Sequence, residues 1–198
     1  MSSGAWTKTI HGKDAYECIS ALQKEIRRGN ELAALTWAME LAPKQFDWLL
    51  KRLTVISHED IGCADIEAVN FVTLAMPQLR EWKKKDASEW ILVLTNIVMA
   101  LARAAKSRDA DELQCVVRGR FAREGLPEVP DYALDKHTQR GKKMGRGMDH
   151  FFDVGAQLVP EPAQADYREE AEGYWRASEQ GELDLDAYSK EMTEKPLF

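Results

Sequence analysis

SHEDIGCAD, residues 57–65, sets His58, Glu59, Asp60 and Asp65 close together around a single glycine. As chemistry, this is a cluster of metal ligands or proton-transfer groups. As architecture, it ends one helix and starts the next. Spacing favours architecture. Ligands on one helical face recur at i, i+3 or i+4, whereas adjacent His, Glu and Asp point in three directions. Gly62 suits a left-handed stop to the helix holding Leu53 and Ile56. Asp65 suits the N-cap of the next helix, with Glu67 at its positive dipole end. Glu59 and Asp60 are then available to a neighbouring arginine or to backbone amides, and Arg52 is the local candidate. His58 alone has no role in this account.

Apolar stripes at helical spacing extend on both sides. Upstream, Ala15, Cys18, Ile19, Leu22 and Ile26 form one face, opened by the capping pair Asp14–Glu17 and closed by Gly29. Asn30 caps a second helix with Leu32, Leu35, Ala38 and Met39, which must stop near Pro43. A third helix holds Phe46, Leu49, Leu50, Leu53 and Ile56. Downstream come Ala68, Phe71, Val72, Ala75 and Leu79, with Pro77 disturbing the end of their helix. Asp86 and Glu89 open a helix carrying Trp90, Ile91, Leu94, Ile97, Val98 and Leu101, apolar over so wide an arc that it belongs at the centre. Asp109 and Glu112 open another, with Leu113, Val116, Val117 and Phe121. No stretch alternates with period two for long enough to make a sheet. The fold class is all-α, an antiparallel helical bundle. The expected organisation is a helical domain over 1–124, an irregular Gly/Pro-rich basic segment packing on it over 125–162, and a helix with an acidic tail over 163–198.

Composition excludes several classes. With 44% hydrophobic and 30% charged residues, the chain is globular rather than disordered. The longest apolar stretch, Trp90 to Ala102, is broken by Thr95 and Asn96 and is too short for a bilayer. The first residues lack the apolar core of a secretory signal. Cys18, Cys63 and Cys115, scattered and odd in number, read as reduced packing thiols on or near apolar stripes in a cytoplasmic protein. A phosphate-binding loop needs GxxxxGK[ST], and the nearest run, Gly141 to Gly147, has neither the spacing nor a preceding strand. No serine sits in a GxSxG elbow. No cofactor is implied. The alternative from another class is a small metal-dependent hydrolase using His58, Glu59, Asp60 and a distant histidine.

Charge is uneven along the chain. Residues 103–146 carry 11 Lys/Arg against 7 Asp/Glu, while residues 147–198 carry 4 against 13. Lys136, His137, Arg140, Lys142, Lys143, Arg146 and His150 crowd into a short stretch around Gly141, Gly145 and Gly147. Cations there attract phosphates, and glycines allow close approach of the backbone. Phe151 and Phe152 either stack on unpaired bases or anchor the segment to a core. The nucleic-acid-binding set is Lys136, Arg140, Lys142, Lys143, Arg146 and His150. The chain's own acidic tail is a competing partner.

Three runs in order carry a family resemblance: HGKDAYECISALQKEIRRGNELAALTWAMEL, WLLKRLTVISHEDIGCAD and LVLTNIVMALARAAKS. Together they resemble the helical C-terminal region of the replication-associated recombination protein A family. That family is also called MgsA and includes the Werner-helicase-interacting ATPase. Glu59, Asp60, Gly62 and Asp65 match its inter-helix turn, and Ala105-Lys106-Ser107 echoes a later one. His58 departs from the usual Ser, and Ile66 from the usual Pro. The resemblance implies a clamp-loader-type collar that follows an AAA+ module, self-association as a tetramer, and a replication or repair setting with DNA as a partner. It does not imply ATP hydrolysis, whose residues are absent here. Met1 and the distinctive last third suggest a separate protein that kept the collar, with docking onto a separately encoded clamp-loader-like ATPase as an alternative.

Overall fold

The computed structural model describes residues 7–85, 88–162, 167–187 and 190, and the chain forms two compact units, Met1–Gly125 and Leu126–Phe198. The described residues are helical throughout, apart from turns and one isolated bridge between Lys8 and Asp14.

In the first unit, helices α1 (Ala15–Arg27) and α2 (Glu31–Leu41) are joined by a minimal turn. The Asp14 carboxylate accepts from the amides of Tyr16 (2.8 Å) and Glu17 (3.2 Å), which satisfies the first turn of α1. At the other end Gly29 takes φ 73°, its N–H donates to Ile26 O, and Asn30 N–H donates to Glu25 O. This is a Schellman closure, which only glycine enters cheaply at that φ. Asn30 then accepts from Ala33 N–H to start α2. One dipeptide ends one helix and begins the next.

Helices α3 (Phe46–Ile56), α4 (Ile66–Lys84) and α5 (Trp90–Arg103) complete the bundle. Leu22, Ile26, Leu41, Leu49, Leu53, Ile56, Val72, Leu79, Leu94, Ile97, Val98 and Leu101 are among its fully buried side chains. α5 packs on α1, α2 and α4, the central place its wide apolar arc predicts. Details of phase differ from the sequence reading. α2 buries Ala34, Ala38 and Leu41, while Leu32 faces out, and Phe71 and Ile91 are also exposed. Pro77 lies inside α4 rather than near its end, on the exposed side, where one lost backbone hydrogen bond is tolerated. Cys18 alone of the three thiols is buried, and burial pushes its pKa up; Cys63 and Cys115 are exposed.

The next helix, α6 (Asp109–Glu124), begins at Asp109 instead of being capped by it. Arg108 holds the cap position, and Ser107 Oγ accepts from Asp109 N–H. Asp86, expected to cap α5, lies outside the described residues. Asp65 does cap α4, accepting from Ala68 N–H at 3.0 Å. Asp65→Ala should therefore lower stability by about 1 kcal/mol, read as a shifted urea midpoint with unchanged slope.

In the second unit the Gly/Pro-rich stretch is more helical than its composition suggests. It holds a 3-10 turn (Asp131–Ala133), α7 (Gln139–Lys143), α8 (Met148–His150) and a π turn (Phe151–Gly155). Thr138 Oγ1 caps α7 by accepting from Gly141 N–H. The last helix, α9 (Arg168–Glu179), is held to this stretch by side chains. Arg176 pairs with Asp149 and lies over the Phe152 ring, and Glu179 accepts from Met148 N–H. The acidic end at 191–198 lies outside the described residues. Among the described residues no helix is long and apolar enough to cross a membrane.

Candidate nucleic-acid interface

The carboxylates of the motif turn are the strongest chemical signal in the sequence. Past Ile56 the helix widens into one π turn, Ser57–Ile61, followed by a 3-10 turn, Gly62–Ala64. Gly62 has the expected positive φ (51°), but its ψ of −128° lies outside the left-handed helical well. The wide turn carries Asp60 inward, to 1% exposure, and leaves His58 outside.

Asp60 is saturated. Its Oδ1 accepts from Arg27 Nε (2.6 Å) and Arg108 Nη1 (3.2 Å), and its Oδ2 accepts from Gln23 Nε2 (2.9 Å). Its backbone carbonyl accepts from Ser107 N–H. Glu59 Oε1 accepts from Arg27 Nη2 (2.9 Å) and Arg108 Nη1 (3.1 Å). Arg52, the partner suggested by proximity in sequence, reaches Gln23 Oε1 instead and supports the carboxylates at one remove. The real partners stand 33 and 48 positions from Asp60 along the chain. Lys106 closes the end of α5 by donating to the carbonyls of Ala102 and Ala104. Burial pushes its pKa below the ordinary lysine value, against the pull of Asp60 and Asp65. The turn is thus a brace that fastens α1, the end of α3 and the α5–α6 connection.

Among the described residues no three His, Cys, Asp or Glu side chains gather as metal ligands. His58 borders an open groove of about 340 Å³ with Thr54, Val55, Glu59, Ala110, Asp111 and Gln114.

The basic segment sorts its cations into two groups. Arg146, with its side chain 15% exposed, pairs with both carboxylate oxygens of Asp131 (2.7 and 2.8 Å) and donates to the carbonyls of Asp131 and Leu134. Lys136 lies 3.7 Å from Glu179. The His137 ring meets Asp135 at 3.1 Å and Phe151 edge-on, and its hydrogen bonds hold the Asp135 carboxyl below the usual range. His150 is partly buried, and its Nδ1 has no hydrogen-bond partner among the described residues. Arg140, Lys142 and Lys143 form the second group: exposed, on or beside α7, and with no ion pair among the described residues.

The glycines also divide. A Cβ at Gly141 would run into the backbone of Leu134 and Asp135, 2.7 Å from Leu134 O, so the close approach there is to the chain itself. Gly147 faces Glu179. Gly145, at φ 70°, has open space around it. Phe151 and Phe152 pack edge-to-face at 5.2 Å and are partly buried.

The fold is an all-helical bundle with an arginine-braced inter-helix turn, and comparison with known proteins gives its family. Residues 29–192 match the family described as MgsA AAA+ ATPase C terminal, and the chain belongs to that family. It is similar to replication-associated recombination protein A of Bacillus subtilis (strain 168), 30% identical over 167 residues that make up 77% of this chain and 38% of that protein. It is also similar to ATPase WRNIP1 of Dictyostelium discoideum, 29% identical over 162 residues, 76% of this chain and 18% of that protein. The replication-associated recombination protein A of Coxiella burnetii (strain RSA 493 / Nine Mile phase I) is 28% identical over 160 residues, 76% of this chain and 36% of that protein. The chain thus spans well under half the length of these relatives.

Proposed function

We propose that this chain is a non-catalytic replication and repair accessory protein that self-associates and contacts DNA through Arg140, Lys142 and Lys143. The observation that carries this reading is the family match over residues 29–192, to the C-terminal part of replication-associated recombination ATPases. The motif carboxylates support it, because guanidinium and amide donors occupy them and they act as structure. The narrowed cation set follows from the internal pairing of Arg146 and Lys136. A cytoplasmic setting is part of the same reading.

The test is a salt titration of binding to a labelled single-strand/duplex junction. Affinity should fall with salt, and the triple variant Arg140→Ala, Lys142→Ala, Lys143→Ala should flatten the log–log slope by about 0.9 for each duplex phosphate that is no longer neutralised. Arg146→Ala should loosen the segment from Asp131 and lower stability without that signature. Binding that ignores both salt and the triple variant would remove the DNA reading. Light scattering tests self-association, and a strict monomer at tens of micromolar would remove that part.

A further inference from the structure

α6 is sixteen residues long, yet none of them is buried. Leu113 (65% exposed), Val116, Val117 and Phe121 (50%) nonetheless line one side at helical spacing. Among the described residues its start is tied down, where Arg108 pairs with Asp111 and Ala110 Cβ lies beside Gly62. A helix of this length is marginal in water on its own, and Gly119 in its middle weakens it further. Its apolar side requires a cover.

The charge pattern says what fits. Asp109, Asp111 and Glu112 occupy the first turn, and Arg118, Arg120 and Arg123 the second half. An antiparallel mate with the same sequence meets this pattern with its opposite at both ends. With Val117 on the two-fold axis, Leu113 falls opposite the partner subunit's Phe121, and Asp109 and Glu112 share a flank with the partner subunit's Arg123. The helix dipoles also oppose each other favourably. A parallel mate would set like charges together along the whole length. Such self-complementarity is the mark of an isologous two-fold contact.

We propose that α6 pairs antiparallel with α6 of a second copy of this chain. The proposal rests on the self-association reading and adds to it the face, the direction and the residue on the axis. Cys115 lies on the opposite side of the helix from Val117, so the native thiol is badly placed to bridge the pair, whereas a thiol at 117 would face its own copy.

The experiment uses the full chain with Cys18, Cys63 and Cys115 changed to Ser. Val117→Cys in that background should give a covalent dimer on mild oxidation, while restoring Cys115 alone should not. Phe121→Glu, at a site outside the core, should keep the far-UV helical signal and weaken association at least about tenfold by light scattering. Arg120→Glu with Arg123→Glu should weaken it too, and adding Asp109→Lys with Glu112→Lys should restore it. A wild-type assembly that persists in Phe121→Glu, with no Val117→Cys crosslink, overturns the α6 face and leaves self-association standing. A monomeric wild type overturns both. Crosslinks from the 117 thiol to lysines of residues 126–198 of the same chain, formed with a maleimide–succinimidyl ester reagent, also overturn the proposal, by assigning the cover to the chain itself.

Discussion

Asp60→Ala will cost the first unit about 3 kcal/mol, a substantial share of the roughly 5–15 kcal/mol that keeps a domain folded. The side chain is buried, and its loss strips acceptors from Arg27 Nε, Arg108 Nη1 and Gln23 Nε2 together. Gln23 is itself buried, so its amide has little access to replacement water. Arg27 and Arg108 are partly exposed and recover some hydration, which keeps the effect at the lower end for a broken buried ion pair. Asp60→Asn keeps one acceptor and loses the charge, so it should cost less. Trp37, Trp48, Trp82 and Trp90 report on this unit, and urea titration followed by their fluorescence is the measurement. A loss below about 1 kcal/mol would match an exposed ion pair and would mean the turn is no brace.

Gly141→Ala should be the most disruptive single change in the second unit, at about 3 kcal/mol. The new methyl group would have to occupy space held by backbone atoms of Leu134 and Asp135, which cannot swing aside as a side-chain tip does. Separating α7 from that backbone also breaks the Arg146 bonds to Leu134 and Asp131. Hydrogen exchange gives the readout, with protection lost at the amides from Gly141 to Arg146 and unchanged in α1 to α5. Gly145→Ala has no such clash, and its cost is confined to a strained φ, about 1 kcal/mol.

Local chemistry was legible in the sequence wherever one residue did one job for its neighbours. Asp14, Gly29, Asn30 and Asp65 each act on amides or carbonyls within a few positions, and each stands where the sequence puts it. Phase was lost where a helix is apolar on most sides. Of the α2 residues Leu32, Leu35, Ala38 and Met39, Ala38 is buried and Leu35 and Met39 pack partly against the core, while Leu32 faces out and the neighbouring helices bury Ala34 and Leu41 instead. The partners of Glu59 and Asp60 were illegible for another reason. Arg52 is near in sequence, but Arg27 and Arg108 are near in space, brought there by packing that no local pattern encodes. The basic segment shows a third limit. Composition cannot tell a glycine that accommodates the chain's own backbone from one that accommodates a phosphate, nor an arginine bonded to Asp131 from one exposed to solvent.

Asp60 O and Ser107 N are bonded, and Arg108 is clasped by Glu59 just before α6 leaves the bundle. The turn therefore sets the bearing on which that projecting arm departs. If α6 pairs with a second copy as proposed, altering Glu59 would leave every residue along the arm intact yet change the angle at which two copies meet. On that reading, sequence drift at the root of the arm would retune the assembly while the arm's own surface stays the same.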